Sequence, residues 1–132
     1  MERCILVRSI LGGIAAMLIG GAAAQAQMPP VNRVTAAARP AHYDGRCPAS
    51  IEFVGTIFMN YQATVSYRWE RSDGASGPVE TVVVHGPRQG AVTRWQLRRP
   101  VGEVFQGVET LHVLSPIDIY SNPAQFQMVC RT

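Results

Sequence analysis

The stretch Thr64-Val65-Ser66-Tyr67-Arg68-Trp69-Glu70-Arg71 constrains the chain most. Val65, Tyr67 and Trp69 share one parity; Ser66, Arg68 and Glu70 share the other. A period of two sends alternate side chains to opposite sides of an extended backbone, so this is a strand with one buried face. Trp69 is one of two tryptophans. Its indole offers the largest apolar area of any side chain type, which makes it the expected centre of the core.

The same period recurs along the chain. Cys47, Ala49, Ile51, Phe53, Gly55 and Ile57 fall on one parity, with Ser50, Glu52 and Thr56 opposite. Ala91, Thr93, Trp95 and Leu97 alternate against Val92, Arg94, Gln96 and Arg98, and Pro100 stops that run. The segment Gly107 to Leu114 predicts a strand with Leu111 and Val113 inward. Ala124, Phe126, Met128 and Cys130 form a last inward face. Val79 to His85 is unbroken and β-branched, so its facing is ambiguous between a strand buried on both sides and an edge. Met59 to Gln62, Ser72 to Pro78, Gly86 to Gly90 and Ser115 to Pro123 carry the turn residues and loops between these runs. Short alternating strands at regular spacing, with no helical period after residue 26, predict an all-β fold, an antiparallel β-sandwich of about six to seven strands.

The N-terminus reads as an export signal. Arg3 and Arg8 form a basic start, Ile10 to Ala24 is apolar or small, and Ala24-Gln25-Ala26 has the small-x-small pattern of a cleavage site. The apolar run is shorter than the ~20 residues of a spanning helix. The expected organisation is a signal-peptide helix over 1–26, a flexible Pro/Ala-rich leader over 27–46, in which Val31 to Ala37 could add an edge strand, and a folded domain over 47–132. No membrane span remains after cleavage, and the protein is expected to be secreted or periplasmic.

Cys4 leaves with the signal, so Cys47 and Cys130 remain. Export puts them in an oxidising compartment, where an even pair predicts a disulfide. Both lie on the core parity of their strands. A redox or metal pair is the alternative, but neither cysteine has a C-x-x-C partner or a nearby histidine. Closing an 83-residue separation would restrict the unfolded chain by roughly 4–5 kcal/mol.

Cys47-Pro48-x-x-Ile51-x-Phe53-x-Gly55-x-Ile57, Thr64-Val65-Ser66-Tyr67-Arg68-Trp69-x-Arg71-Ser72-Asp73-Gly74, the late Trp95, and Ser121-Asn122-Pro123-Ala124-x-Phe126-x-x-x-Cys130 together resemble the small secreted bacterial immunoglobulin-like domains. The resemblance spans Cys47 to Cys130 and implies an immunoglobulin-like β-sandwich. The bridge departs from the antibody pattern, in which the cystine joins two central strands; here it would join the first and last. The resemblance implies no catalytic residues.

No motif calls for a cofactor or a metal. His42, His85 and His112 have no ligand at metal-binding spacing, no serine sits in a Gly-x-Ser-x-Gly elbow, and Glu52, Glu70, Glu80 and Glu109 read as scattered solvated acids. The net charge of +3 comes wholly from arginine. This excess is too small and scattered for a nucleic-acid footprint. Arg68, Arg94 and Arg98 fall on outward faces; if their strands share a sheet they form a basic stripe for an acidic partner or anionic glycan, against the alternative of local pairing with Glu52 or Glu70. Tyr61 and Tyr120 fall in loops and are the expected exposed aromatics. The expected function is a non-catalytic binding or structural module whose partner is a protein or glycan of the cell envelope or exterior. It would act through loops (Asn60, Tyr61, Gln62; Asp73, Gly74; Tyr120, Ser121) or through an exposed strand edge. The alternatives are an inhibitor of a secreted enzyme and, behind it, a small hydrolase.

Overall fold

The computed structural model describes residues 27–132, so the signal-peptide helix expected over 1–26 lies outside the described residues. Nine strands follow: β1 (Val31–Arg39), β2 (His42–Arg46), β3 (Ala49–Met59), β4 (Ala63–Arg71), β5 (Glu80–Val84), β6 (Arg88–Leu97), β7 (Val104–Ser115), β8 (Ile119–Tyr120) and β9 (Ala124–Arg131). They form two sheets. One has three strands in the order β1-β3-β6; the other has six, in the order β2-β9-β7-β4-β5, with β8 also on β7.

The inward parities read from the sequence meet between these sheets. Ile51, Phe53, Ile57, Val65, Leu111, Val113 and Met128 have no exposed surface, and Trp69 and Trp95 are buried. Each such aliphatic or aromatic side chain contributes about 1.5–3 kcal/mol by leaving water. The aromatic centre is Phe126 rather than Trp69. Its ring meets Phe53 at 5.6 Å, Trp95 at 5.5 Å and Phe105 at 6.0 Å, while Trp69 touches the group through Phe53 at 6.3 Å. Gly55 makes room for the indole: a Cβ there would lie 2.5 Å from Leu111 Cδ2 and 3.0 Å from Trp69 Cζ2.

Cys47 and Cys130 are bonded, with their Cα atoms 5.5 Å apart. The bridge fastens the crossing from β2 to β3, where the chain changes sheet, to the last strand. A disulfide is consistent with an extracellular or periplasmic location.

Two expectations are corrected. The segment 27–46 is not a flexible leader: it supplies β1, the edge strand expected over Val31 to Ala37, and β2 as well. β1 pairs with β3 from Glu52 to Met59, with a register shift between Val31 and Arg33. That bulge places Val31 and Val34, of opposite parity, both inward. It breaks the alternation a sequence reader looks for. Nor is the fold wholly antiparallel. β2 runs parallel to β9, from His42 beside Gln127 to Arg46 beside Arg131. The Val79–His85 ambiguity resolves to an edge: β5 ends its sheet, burying Val84 and exposing Val83.

Candidate functional site

The outer face of the six-stranded sheet carries even-numbered residues of β7. Gln106 pairs with Gln127 and Val108 with Gln125 on β9; Thr110 pairs with Glu70 and His112 with Arg68 on β4. His42 sits beside Gln127 from β2. Ser72, just past β4, exchanges bonds with β7: its amide donates to the Val108 carbonyl at 2.8 Å, and its hydroxyl accepts the Val108 amide at 3.1 Å. A groove of about 450 Å³ runs here, lined by His42, Ser72, Gln106, Gln125, Gln127 and the backbone around Gly107. Glutamine amides donate and accept, as does the serine hydroxyl, so the lining suits a ligand rich in hydroxyls or amides.

Further along the same face His112 is buried between two carboxylates. Its Nδ1 lies 2.6 Å from Glu70 Oε2 and its Nε2 lies 2.6 Å from Asp118 Oδ1. Tyr120 stacks on the ring at 3.8 Å. A carboxylate only accepts, so the imidazolium, in which both ring nitrogens donate, is the form that satisfies both contacts at once. Burial pulls its pKa down, but the bonds to Glu70 and Asp118 outweigh that and raise it. Burial likewise pushes Glu70 up, and His112 with Arg68 outweighs it and lowers its pKa. With both nitrogens engaged, this histidine offers no free lone pair to a metal or a substrate proton. It clasps the loop before β8 to β4. The spacing of three histidines gave no sign of this, since Asp118 and Glu70 reach His112 only through folding.

Glu109, read as a solvated acid, is in fact only 2% exposed. It shares the inward parity of Leu111 and Val113. Burial pushes its carboxyl up to about 7, Arg71 pulls it part of the way back, and Asp73 pushes it further. Arg71 is spent elsewhere. It bonds Asp73 through Nε at 3.1 Å and Nη2 at 2.7 Å, and lies 4.4 Å over the Trp95 ring. Glu109 lines neither the groove nor the smaller cleft described below.

The loop residues proposed from sequence mostly hold the fold. Asn60 Nδ2 donates to the Pro29 carbonyl at 2.8 Å, and the half-exposed Tyr61 donates to the Met28 carbonyl at 3.0 Å. Asp73 accepts from the Ala75 amide and Gly74 takes a φ of +96°. Ser121 is buried, accepting from the Leu111 amide. Next to it, Asn122 accepts from the Ala36 amide and donates to the Ala36 carbonyl, tying the two sheets together. The stripe of Arg68 with Arg94 and Arg98 does not form, because β4 and β6 lie in different sheets. Arg68 pairs with Glu70 at 2.9 Å and Arg94 with Glu52 at 3.1 Å. Among the described residues no group of three or more His, Cys, Asp or Glu side chains is placed to hold a metal.

Comparison with protein-family models and with curated proteins finds no match. Among solved structures the chain is similar to the CARDB domain of a Pyrococcus furiosus protein in complex with di-metal ions. The TM-score is 0.51 at 10% identity, over 80% of this chain and 99% of that one. The likeness is one of fold. A second similar chain is Pseudomonas fluorescens alkylpurine DNA glycosylase AlkC bound to DNA containing an abasic site analog, with a TM-score of 0.47 at 13% identity. The match covers 74% of this chain and spans 30% of the length of that one.

Proposed function

We propose that the protein is an exported, non-catalytic binding module of the immunoglobulin-like sandwich type, acting on a neutral polymer of the cell envelope through the outer face of its six-stranded sheet. The observation that carries this reading is the groove on that face, whose polar side chains are glutamine amides, a serine and a histidine, with Gln106 and Gln127 paired across β7 and β9. The fold likeness supports the sandwich type, and the disulfide supports export. The engagement of His112 in a structural clasp and the enclosure of Glu109 favour binding over hydrolysis. The lining holds no Asp, Glu, Lys or Arg, and its glutamine amides and serine hydroxyl both donate and accept, which matches sugar hydroxyls and favours a glycan over an ionic ligand.

The test is pull-down of mature protein by insoluble envelope polymers, compared with Gln106→Ala/Gln127→Ala. Retention of the parent on a glycan-rich fraction, with at least a tenfold loss for the variant, supports the reading. A tenfold loss is about 1.4 kcal/mol, the order of one or two hydrogen bonds. Equal retention of both proteins overturns it.

A further inference from the structure

The outer face of the three-stranded sheet has a charge that the whole-chain balance conceals. Arg39 and Arg94 flank Glu52 in one row across the sheet, and Arg33 and Arg88 flank Phe58 in another. The guanidinium of Arg33 lies 4.3 Å over the Phe58 ring and that of Arg88 lies 5.8 Å over it. Arg98 continues the same parity just past β6. Five arginines therefore meet one acid on this face. The other five arginines of residues 27–132 share the remainder of the domain with seven acids. A protein of small net charge is thus polarised, with its basic side on one flat sheet.

Three of those arginines, Arg88, Arg94 and Arg98, belong to the β6 side of the face, and β6 is an edge strand. The opposing sheet runs on through β5, so no strand of the smaller sheet covers that margin. A cleft of about 180 Å³ opens there, lined by Tyr67, Trp69, Gly77, Glu80, Val92 and Thr93 among others. Trp69 is only 6% exposed, and its Nε1 has no hydrogen-bond acceptor among the described residues. A buried N–H without a partner carries a penalty of roughly 1–3 kcal/mol. At the cleft, Val92 is 57% exposed, on the same face of β6 as Arg88 and Arg94.

We propose that the β6 edge receives an extended acidic segment of another protein, which adds as a fourth strand with its carboxylates opposite Arg88, Arg94 and Arg98. The molecule contains a template for this recognition. Glu52, on the strand that already flanks β6, accepts from Arg94 Nη2 at 3.1 Å across the ladder. An acid on the other side meets the same row, while its neighbours of opposite parity turn toward the cleft. A second copy of this chain is a poor occupant. Antiparallel pairing of β6 with β6 about Thr93 sets Arg88 against Arg98, and like charges directly opposite destabilise a sheet. Arginines on an edge therefore repel self-association and admit an acidic strand.

The probes are three: a synthetic peptide alternating valine and glutamate, one alternating valine and lysine, and dextran sulfate as a polyanion that cannot form a strand. Binding is followed by titration, and amide hydrogen exchange is followed over residues 88–97. The valine–glutamate peptide is expected to bind and to protect β6 amides, the valine–lysine peptide to do neither, and Arg88→Glu/Arg98→Glu to reverse the preference by at least tenfold. That variant leaves the Arg94–Glu52 pair in place, and its melting temperature should stay near the parent's. Three results overturn the proposal: equal binding of both peptides, unchanged binding by the reversed variant, or dextran sulfate protecting β6 as the acidic peptide does. The last would mark a general polyanion surface. None of the three bears on the groove of the other sheet.

Discussion

Replacing Glu109 by Gln should remove most of a pH dependence that one side chain imposes on the whole domain. In the unfolded chain this carboxyl titrates at its ordinary value of 4.5, and in the folded protein at about 7. Its folded pKa is raised, so the native state holds the proton more tightly. The contribution is therefore fully present below pH 4.5 and is lost as pH rises through about 7. A shift of this size corresponds to about 3 kcal/mol between the two limits. The cause is geometric. Glu109 lies at 2% exposure on the core side of β7, and the one cation near it is chelated by Asp73. Glutamine keeps the shape and never ionises. Urea unfolding at about pH 5 and about pH 8, a window that captures most of that range, should show the parent losing stability on the alkaline side by roughly 2.5 kcal/mol more than Glu109→Gln, which becomes the more stable protein there. His112 pushes in the same direction in both proteins, so the difference between the two profiles isolates Glu109. Parallel profiles would refute the argument, since they would mean that the carboxyl reaches water or finds a donor in the native state.

Three other perturbations test the packing and the clasp. His112 has a raised folded pKa, so its contribution is complete below the ordinary histidine value of 6.5 and is lost as pH rises through the folded value. Amide exchange over residues 115–120 should accelerate through that rise, and His112→Gln should exchange fast at every pH; a pH-independent parent would remove the clasp. Gly55→Ala would place a Cβ 2.5 Å from Leu111 Cδ2. It should destabilise by about 1–3 kcal/mol through overpacking. A Gly55→Ala/Leu111→Ala double variant should show less loss than the two single changes added together, and strict additivity would show that the two sites do not touch. Cys47→Ala/Cys130→Ala should lower unfolding stability by about 2–5 kcal/mol. A loss below this range would mean the bridge does little to restrict the unfolded chain.

Where one face of a strand is buried and the other wet, the sequence exposes the fold directly. The parities of Ile51 with Phe53, Val65 with Trp69, Leu111 with Val113, and Phe126 with Met128 all point to the observed core, and Cys130 follows from the same parity. β1 was legible only as an edge strand over Val31 to Ala37, and its facing is obscured by its bulge and by its run of alanines, whose weak apolar contrast hides the period. β2 is a half-buried edge on a parallel ladder, so neither of its faces has a strong signature. Glu109 was visible in principle: the parity that turns Leu111 and Val113 inward turns it inward too, and only its charge argued for water. His112 was not visible, because its two acids come from β4 and from the loop before β8. The partition of arginines was equally hidden. It depends on which strands share a sheet, and sequence pattern sets the parity of a residue without naming its neighbours.

That distinction also explains how the edges are kept from aggregating. A sheet margin is a row of unpaired backbone groups, and it stays monomeric only if something discourages pairing. Of the four margins, β1, β2, β5 and β6, the last three are handled in different ways. β2 is short and carries Asp44 bonded to Arg131 at 2.6 Å and 2.9 Å on its neighbour. β5 has five residues and begins with Glu80, just after Pro78, which has no N–H to donate. β6 has ten residues, the longest of the three, and relies on arginine alone. Length makes it the most capable acceptor of another strand, and a single sign of charge limits which strands it accepts. Had β6 carried mixed charges, as β4 does with Arg68 and Glu70, its margin would pair as readily with itself as with a partner. Protection and specificity at this edge therefore come from the same side chains, and Arg88→Glu/Arg98→Glu should alter both together.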